Sequence, residues 1–215
     1  MQTIQTFLAQ HYIISIPLFA LMSYFVGCIS PSYFLGKKKK GIDIRDHGSC
    51  NAGASNAVIM LGWKYGVLTA LIDILKGSLM SFLATILTHD MVLIHTAVLF
   101  VVLGHIFPFY LKFKGGKGLA TMCGAVFGYW PLVAVAMFFL LWTVAFISNY
   151  LIIGTITLTI FYLGCSLFYH DFNLLYAVVP FIFFVLITSK HIPNIKRIKL
   201  GEEKKFRDMV IKKKN

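Results

Sequence analysis

The chain has 215 residues, of which 58% are hydrophobic, and its formal net charge is +12. Soluble proteins are roughly 45–50% apolar, and one soluble domain of this length could not bury so large an apolar share. The positive charge does not indicate nucleic-acid binding, because it is concentrated in three stretches that alternate with long apolar runs. Composition therefore excludes an ordinary soluble domain and predicts a membrane protein with no nucleic-acid partner.

Six apolar runs follow one another along the chain, and most reach the roughly 20 residues that cross a bilayer as a helix. The runs are residues 12–30, 66–87, 91–111, 119–147, 150–169 and 173–189. A helix satisfies its own backbone hydrogen bonds in lipid, so the expected fold is an all-α polytopic membrane protein. We expect residues 1–215 to form one membrane-embedded domain, with residues 190–215 as a basic cytosolic tail.

The distribution of Lys and Arg predicts the orientation of the chain. Ten of the 20 lie in residues 190–214, six in residues 37–64 and three in residues 112–117, whereas residues 88–90 and 170–171 hold none. Basic connections stay on the cytoplasmic side of a membrane. The chain must then cross an even number of times between Gly118 and Lys190, although only three apolar runs remain there.

The run 119–147 is the one expected to cross twice, because Tyr129-Trp130-Pro131 interrupts it. Proline breaks or kinks a helix, and Trp and Tyr favour the membrane interface. We therefore predict seven transmembrane helices, one of them short or broken, with the N-terminus outside and the C-terminus cytosolic. Residues 119–129 would span only ~16 Å as a helix.

The first polar segment on the cytoplasmic side, residues 41–56, is dominated by small residues from Gly48 onward. Glycine permits left-handed backbone and close approach, so successive N–H groups there can form an anion-binding nest. Further hydrogen-bond donors come from Ser49, Asn51, Ser55 and Asn56. An ordinary loop is the alternative, and the neighbouring Arg45 and membrane face favour a phosphate site.

The second polar segment contains His105 near a helix end and then a lysine flanked by glycines. A lysine on such a turn can reach a phosphate while backbone amides cradle it, although the spacing is not that of a Walker A loop. The residues of this turn are Lys114, Gly115, Gly116, Lys117 and Gly118. Its alternative is a basic flank that only fixes the topology, and His105 by itself would suit a packing role.

Two further polar groups lie within or beside apolar runs. Asp73 and Lys76 are three residues apart, so they share a helix face and can pair; a structural pair and a functional one both remain open. His191 and Asn194 would share a face if their stretch is helical, and a basic juxtamembrane anchor is the alternative. Together the four segments suit an anionic substrate from the cytosol beside a lipid-like one from the bilayer.

These segments resemble the bacterial acyl-phosphate:glycerol-3-phosphate acyltransferases, PlsY. The family's GSGN-x-GATN motif corresponds to residues 48–56, its D-x-x-K-G element to residues 73–77, and its GH-x-x-P and FKGGKG-x-AT motifs to residues 104–108 and 113–121. Its closing H-x-x-NI-x-R motif corresponds to residues 191–197. The resemblance covers nearly the whole chain and implies a seven-helix membrane protein of the bacterial cytoplasmic membrane, with its active site facing the cytosol.

The resemblance implies transfer of a fatty acyl group from acyl-phosphate to the 1-hydroxyl of glycerol 3-phosphate, giving lysophosphatidic acid and phosphate. It implies membrane lipid as the surroundings, and neither cofactor nor metal. The residues expected to act catalytically are Ser49, Asn51, His105 and Lys117. The residues expected to bind substrates are Arg45, Gly53, Ser55, Asn56, Lys114, Gly115, Gly116, His191 and Asn194.

Four positions depart from the family pattern. Ile59 stands where an arginine is usual, Ile152 where a serine is usual, and Ile192 where another arginine is usual. The basic residue that opens the family's third motif is replaced by Asn149. Two alternatives follow: a non-catalytic or substrate-shifted paralogue that binds lipid or partners an active acyltransferase, and a small transporter. The transporter is disfavoured because no internal repeat is visible.

Overall fold

The computed structural model describes residues 2–210. The regular structure of these residues is helical, with no strand among them. The α-helices are α1 Gln2–Gln10, α2 Tyr12–Cys28, α3 Pro31–Lys40, α4 Ala54–Leu61, α5 Trp63–Thr88, α6 Met91–Ile106, α7 Leu119–Tyr129, α8 Pro131–Ser148, α9 Leu151–Tyr169, α10 Leu174–Lys199 and α11 Phe206–Val210. Short 3-10 turns lie at Ile44–Asp46 and Phe109–Leu111.

Six segments in this part of the chain are long and apolar enough to cross a membrane: Tyr12–Lys40, Trp63–Thr88, Met91–Leu111, Pro131–Ser148, Leu151–Tyr169 and Leu174–Lys199. The helix α7 is apolar but shorter. It ends at Tyr129, and α8 begins at Pro131. The predicted all-α membrane fold, with one short helix created by the aromatic-proline interruption, is therefore confirmed.

Three helix ends are defined by the structure more closely than by the apolar runs. Helix α3 ends at Lys40, and four lysines occupy its last turn, where cations favour the helix C-terminus. The third run does not stay α-helical to residue 111, because Pro108 follows the end of α6. The first ten residues of the predicted tail belong to α10, which contains Pro193.

The chain divides into two compact units, residues 1–131 and 132–215. We call them the N-terminal unit and the C-terminal unit. The prediction of one domain stays a prediction.

In the N-terminal unit, α5 packs closely on α7 because small residues face each other. A Cβ on Gly77 would overlap the Thr121 carbonyl, and one on Gly124 would overlap the backbone of Ile74. The Ser78 hydroxyl also donates to the Gly124 carbonyl at 2.9 Å. Small residues at such contacts are the usual means of close helix packing in membranes.

The first candidate span is broken between α2 and α3, where Ile29 and the residue before Pro31 leave the helical conformation. A break in lipid exposes carbonyl groups that must find other donors. The Tyr110 hydroxyl donates to the Cys28 carbonyl at 2.9 Å, and the Lys76 ammonium donates to the Ile29 carbonyl at 2.6 Å. The break therefore joins α2 to α5 and to the segment after α6.

The C-terminal unit is built on the packing of α9 against α10, with the Tyr162 and Phe183 rings stacked in its core. After α10 the chain returns to the turn between α8 and α9. There Phe206 donates its amide to the Asn149 carbonyl at 2.7 Å, and Arg207 donates its amide to the Asn149 side chain at 2.8 Å. The return holds the start of α11 beside that turn.

Candidate active site

The first loop, residues 41–53, is shaped by the buried side chain of Asn56. Its Nδ2 lies 2.7 Å from the Ile44 carbonyl, 3.1 Å from the His47 carbonyl and 2.9 Å from the Asn51 carbonyl. Its Oδ1 accepts the Ser49 amide at 2.8 Å. Both polar atoms of the amide are therefore occupied by the loop, and Asn56 holds the loop curled over the start of α4.

A second amide, Asn51, orients the serine of this loop. Its Nδ2 donates to the Ser49 carbonyl at 2.8 Å and to the Ser49 hydroxyl oxygen at 3.0 Å, while its Oδ1 accepts the Gly53 amide at 3.1 Å. The Ser49 oxygen is thus an acceptor within the protein. Its own hydrogen is left to be donated elsewhere, as a hydroxyl can both accept and donate.

The second loop, residues 107–118, folds back onto the end of α6. Gly115 donates its amide to the Ile106 carbonyl at 3.0 Å, and Gly116 donates to the His105 carbonyl at 3.1 Å. A Cβ on Gly115 would overlap the His105 carbonyl, and one on Gly116 would overlap His105 Nε2. Only glycine allows this approach, so the glycine pair predicted from sequence is required by the histidine beneath it.

The two loops are joined by Arg45 and by one backbone bond. Arg45 Nη1 donates to the Leu111 carbonyl at 2.6 Å and lies 3.3 Å from the Lys114 carbonyl. Its Nε and Nη2 donate to the two Asp43 oxygens, at 2.9 and 2.6 Å. These side-chain bonds hold the pKa of Asp43 below its usual range and raise the pKa of Arg45. The Ala52 amide also donates to the Gly115 carbonyl at 3.2 Å.

The joined loops carry several positive features together. The first loop leads into the N-terminus of α4 and the second into that of α7, and helix N-termini favour anions. Lys114 is exposed and Lys117 is half-buried on the second loop, and Ser55 is exposed in the first turn of α4. The arrangement suits a phosphate or a developing oxyanion. Residues 2–210 contain no cluster of three or more His, Cys, Asp or Glu placed to hold a metal.

Beneath the second loop lies a buried cluster of Asp73, Lys76 and His105, whose exposed fractions are 1%, 4% and 5%. Lys76 Nζ lies 2.8 Å from Asp73 Oδ1 and 2.9 Å from His105 Nδ1. The same nitrogen donates to the Ile29 carbonyl at 2.6 Å. The pairing of Asp73 with Lys76 predicted from their spacing is present, and His105 joins it.

The remaining predicted site residues lie in the C-terminal unit, on one face of α10. The first, His191, is buried, with Nδ1 2.9 Å from the Ile187 carbonyl. Asn194 Nδ2 donates to Glu203 Oε1 at 2.5 Å, and Arg197 Nε donates to Glu203 Oε2 at 2.6 Å. Pro193 thus does not prevent the helical face expected for His191 and Asn194.

Sequence reasoning missed the residues that hold the site residues in place. It gave no role to Asp43, Ala52 or Glu203, and it did not connect Lys76 with His105. Asp43 could have been noticed, since an Asp side chain in a turn commonly accepts the backbone amide two residues on, as Asp43 does from Arg45. The departures lie in ordinary surroundings: Ile59 is half-buried on α4, Ile152 is buried in α9, and Ile192 is 47% exposed.

The fold and the loops define a class of protein: a polytopic helical membrane protein with a glycine-rich, positively polarised site suited to an anionic headgroup. The family model described as glycerol-3-phosphate acyltransferase matches residues 17–201. A relative from Oceanobacillus iheyensis, glycerol-3-phosphate acyltransferase 1, is 39% identical over 90% of this chain and 96% of its own length. One from Bacillus subtilis, glycerol-3-phosphate acyltransferase, is 39% identical over 85% of this chain and 93% of its own length.

A solved structure is similar as well. The glycerol 3-phosphate form of PlsY (YgiH), an integral membrane glycerol 3-phosphate acyltransferase, superposes with a TM-score of 0.83 at 33% identity, over 91% of this chain and 98% of that one. Its lysophosphatidic acid form superposes with a TM-score of 0.80. The chain belongs to the glycerol-3-phosphate acyltransferase family, and it is a multi-pass membrane acyltransferase.

Proposed function

We propose that the protein transfers a fatty acyl group from an acyl-phosphate to the 1-hydroxyl of glycerol 3-phosphate, releasing lysophosphatidic acid and inorganic phosphate. Family membership supports glycerol 3-phosphate as the acceptor, and the named ligands of the two PlsY forms suit the proposed acceptor and product. The observation that carries the proposal is the joining of two glycine-rich loops through Arg45 and through the Ala52–Gly115 bond. That joining holds the loop that carries Ser49 against the loop that carries Lys114 and Lys117.

The surroundings of Ser49 suit a donor that is already activated, and the family resemblance motivates the choice of acyl-phosphate. A serine nucleophile is activated by a neighbouring base that removes its proton. Here the side chain bonded to the Ser49 oxygen is the Asn51 amide, which donates a hydrogen and cannot take one. Ser49 is therefore suited to hydrogen-bond an anion rather than to form an acyl-enzyme, and the donor must arrive already activated.

The residues divide into those that contact substrate and those that shape the loops. In the proposed mechanism Ser49, Lys114 and Lys117 bind the phosphate groups or the oxyanion. The amides of Gly53, Gly115 and Gly116 donate to Asn51, Ile106 and His105, so we assign these glycines to the shape of the loops. Ser55 adds a hydroxyl at the start of α4. Orientation of the two substrates and charge stabilisation then lower the barrier.

Three predicted ligands take narrower roles. Asn51 and Asn56 use their amides on the first loop, so we assign them to its shape. Arg45 directs its donors to Asp43 and to two carbonyls, so we assign it to joining the loops and adding positive charge. On α10, His191 and Asn194 are proposed to orient the glycerol acceptor.

The orientation of the site is part of the proposal, and the cysteines provide its test. We place residues 41–65 and 112–118 in the cytosol, in line with the basic character of these segments. Cys50 is exposed on the first loop and Cys28 is buried in α2. A membrane-impermeant maleimide should label Cys50 in inverted vesicles and leave it unlabelled in intact cells, with Cys50→Ser as the control. Labelling in intact cells would reverse the assigned orientation.

The activity is tested with purified protein in detergent, supplied with glycerol 3-phosphate and either palmitoyl-phosphate or palmitoyl-CoA. We expect lysophosphatidic acid and phosphate in equal amounts from palmitoyl-phosphate, and little product from palmitoyl-CoA. Ser49→Ala should lower kcat/KM by about tenfold or more, because a hydrogen bond to a charged group contributes about 1.5–3 kcal/mol. No product from either donor, or a clear preference for palmitoyl-CoA, would contradict the proposal.

A further inference from the structure

The buried cluster beneath the second loop contains three ionisable side chains, and the hydrogen bonds that join the two loops do not involve them. Burying charge in a membrane protein is costly and usually marks a partner or a function. Asp73 and Lys76 neutralise each other, so a neutral His105 leaves the cluster without net charge. A protonated imidazole would leave one uncompensated positive charge in a site where all three side chains are at most 5% exposed.

The Lys76 ammonium has one ion-pair partner and two hydrogen-bond acceptors around it. Nζ lies 2.8 Å from Asp73 Oδ1, 2.6 Å from the Ile29 carbonyl and 2.9 Å from His105 Nδ1. Since an ammonium group only donates, Nδ1 must be the unprotonated nitrogen of the ring. In a neutral imidazole the hydrogen then lies on the other nitrogen, Nε2.

That second nitrogen faces the glycine turn. A Cβ on Gly116 would overlap Nε2, so the nitrogen and the turn are in direct proximity. Nδ1 is also 3.2 Å from Asp73 Oδ1, so both close polar contacts of the ring are on its Nδ1 side. Within residues 2–210, no hydrogen bond from His105 Nε2 is found, and this nitrogen is not one of the fully buried polar atoms that lack a partner, so it remains accessible to a ligand.

We propose that Asp73 and Lys76 lock His105 in the tautomer that carries its hydrogen on Nε2, and that this N–H donates to the phosphate of glycerol 3-phosphate held at the glycine turn. The proposal rests on the acceptor assigned above. It makes His105 a phosphate-binding residue and makes Asp73 and Lys76 positioning residues that act through it. It also explains why charged groups are placed under a turn whose surface already carries Lys114 and Lys117.

The tautomer can be observed without any turnover. Full-length protein labelled with 15N-histidine in detergent contains seven histidines, and the signals of His105 are identified by their absence in His105→Asn. We expect an unprotonated Nδ1 and a protonated Nε2. A hydrogen on Nδ1, or on both nitrogens, overturns the lock whatever the enzyme's activity.

The ligand contact is tested in the same sample. Glycerol 3-phosphate, and inorganic phosphate as a simpler probe, should shift the His105 Nε2 resonance, whereas glycerol alone should not. A shift with glycerol alone, or none with saturating glycerol 3-phosphate, overturns the phosphate contact. Because these readouts do not use an acyl donor, they remain informative if the proposed acyl transfer itself fails.

Two substitutions then test the roles of the two ring nitrogens separately. His105→Asn keeps an acceptor near the Nδ1 position but removes the donor, so the KM for glycerol 3-phosphate should rise about tenfold or more with a smaller change in kcat. His105→Gln keeps a donor near the Nε2 position but loses the acceptor for Lys76, so the melting temperature should fall while KM stays closer to that of the wild type. The reverse pattern overturns the proposal, and the spectrum of the wild type decides the tautomer if either variant fails to fold.

A third variant tests the role of the ion pair itself. Asp73→Leu with Lys76→Met removes both charges together, which avoids leaving one of them unpaired in the interior. The loss of the lock should appear as a mixture of His105 tautomers and as a raised KM. A single Nε2–H tautomer in the folded double variant would show that the pair does not set it.

Discussion

The Ala52 amide donates to the Gly115 carbonyl over 3.2 Å, so the first and second loops share a backbone hydrogen bond. The two residues are 63 positions apart in the chain. Arg45 adds a second connection through the Leu111 carbonyl. Any change that alters one loop is therefore passed to the other, and substitutions at the joint should affect substrate binding more than their own exposure would suggest.

Replacing Arg45 should separate the two loops. Arg45→Lys keeps the charge but cannot bond both Asp43 oxygens and the Leu111 carbonyl at once, because lysine lacks the planar fork. We expect kcat/KM for glycerol 3-phosphate to fall about tenfold or more, and the melting temperature in detergent to fall by several degrees. Lys38→Arg, a Lys/Arg exchange at an exposed position of α3 outside the two loops, serves as the control. Wild-type kinetics in Arg45→Lys would remove the role assigned to this joint.

The Asp43–Arg45 pair should give a defined dependence of stability on pH. The bonds from Arg45 lower the pKa of Asp43 from its ordinary value of 3.8. A carboxylate whose pKa is lower in the folded state stabilises the fold at pH values above its unfolded-state pKa. This stabilisation is lost as the pH falls through the folded-state pKa. The melting-temperature difference between wild type and Asp43→Asn should therefore be constant above about pH 5 and shrink below about pH 4. A difference that persists unchanged at the lowest pH measured would mean that the carboxylate charge is not its source.

Gly116 should tolerate no side chain. An added Cβ would overlap His105 Nε2, so Gly116→Ala must displace the turn that leads to Lys117. We expect a loss of activity of about tenfold or more, by analogy with the cost of one lost charged hydrogen bond. Gly164→Ala is the matched control, because nothing lies within 4 Å of its Cβ position. Equal activity of the two alanine variants would show that the turn can move without consequence.

Cys50 should be replaceable by glycine with a gain in stability. Its φ is 53°, in the left-handed region where a Cβ costs roughly 1–2 kcal/mol. Cys50→Gly removes that cost, although glycine also increases the entropy of the unfolded chain, so we expect a net rise of about 2 °C in melting temperature. Cys50→Ala retains the Cβ and should show no such rise. Activity is expected to be kept in both, and a lower melting temperature for the glycine variant would contradict the strain.

Restoring the groups missing from the family pattern should strengthen acceptor binding. Ile59→Arg with Ile152→Ser is expected to lower the KM for glycerol 3-phosphate by about tenfold, because a guanidinium can bind phosphate through two parallel hydrogen bonds. Ile59 is half-buried and Ile152 is 4% exposed, so the melting curve must show that the double variant folds. The uncharged Ile59→Gln with Ile152→Ser is the control. A folded double variant with unchanged KM would show that these departures do not limit the site.

The features that could be predicted from the sequence are those that depend on local residue preferences and on the lipid surroundings. The break at Pro131 and the short helix before it follow from residue preferences, and the glycines of both loops follow from the need for close backbone approach. The pairing of Asp73 with Lys76 follows from helix spacing. What remained hidden depends on contacts between distant segments. No local pattern relates His105 to Lys76, which lies 29 positions earlier, or shows that Asn56 would turn inward.

The broken first span limits the order in which the chain can mature. The carbonyls of Cys28 and Ile29 enter the membrane with α2, but their donors Tyr110 and Lys76 are synthesised later. Until Tyr110 and Lys76 have been synthesised, these two carbonyls lack their hydrogen-bond donors. The span then satisfies its backbone hydrogen bonds best as a continuous helix, within the limit set by Pro31. The bend should therefore form late in biogenesis, after α5 and α6 have inserted, and an early fragment of the chain would not contain it.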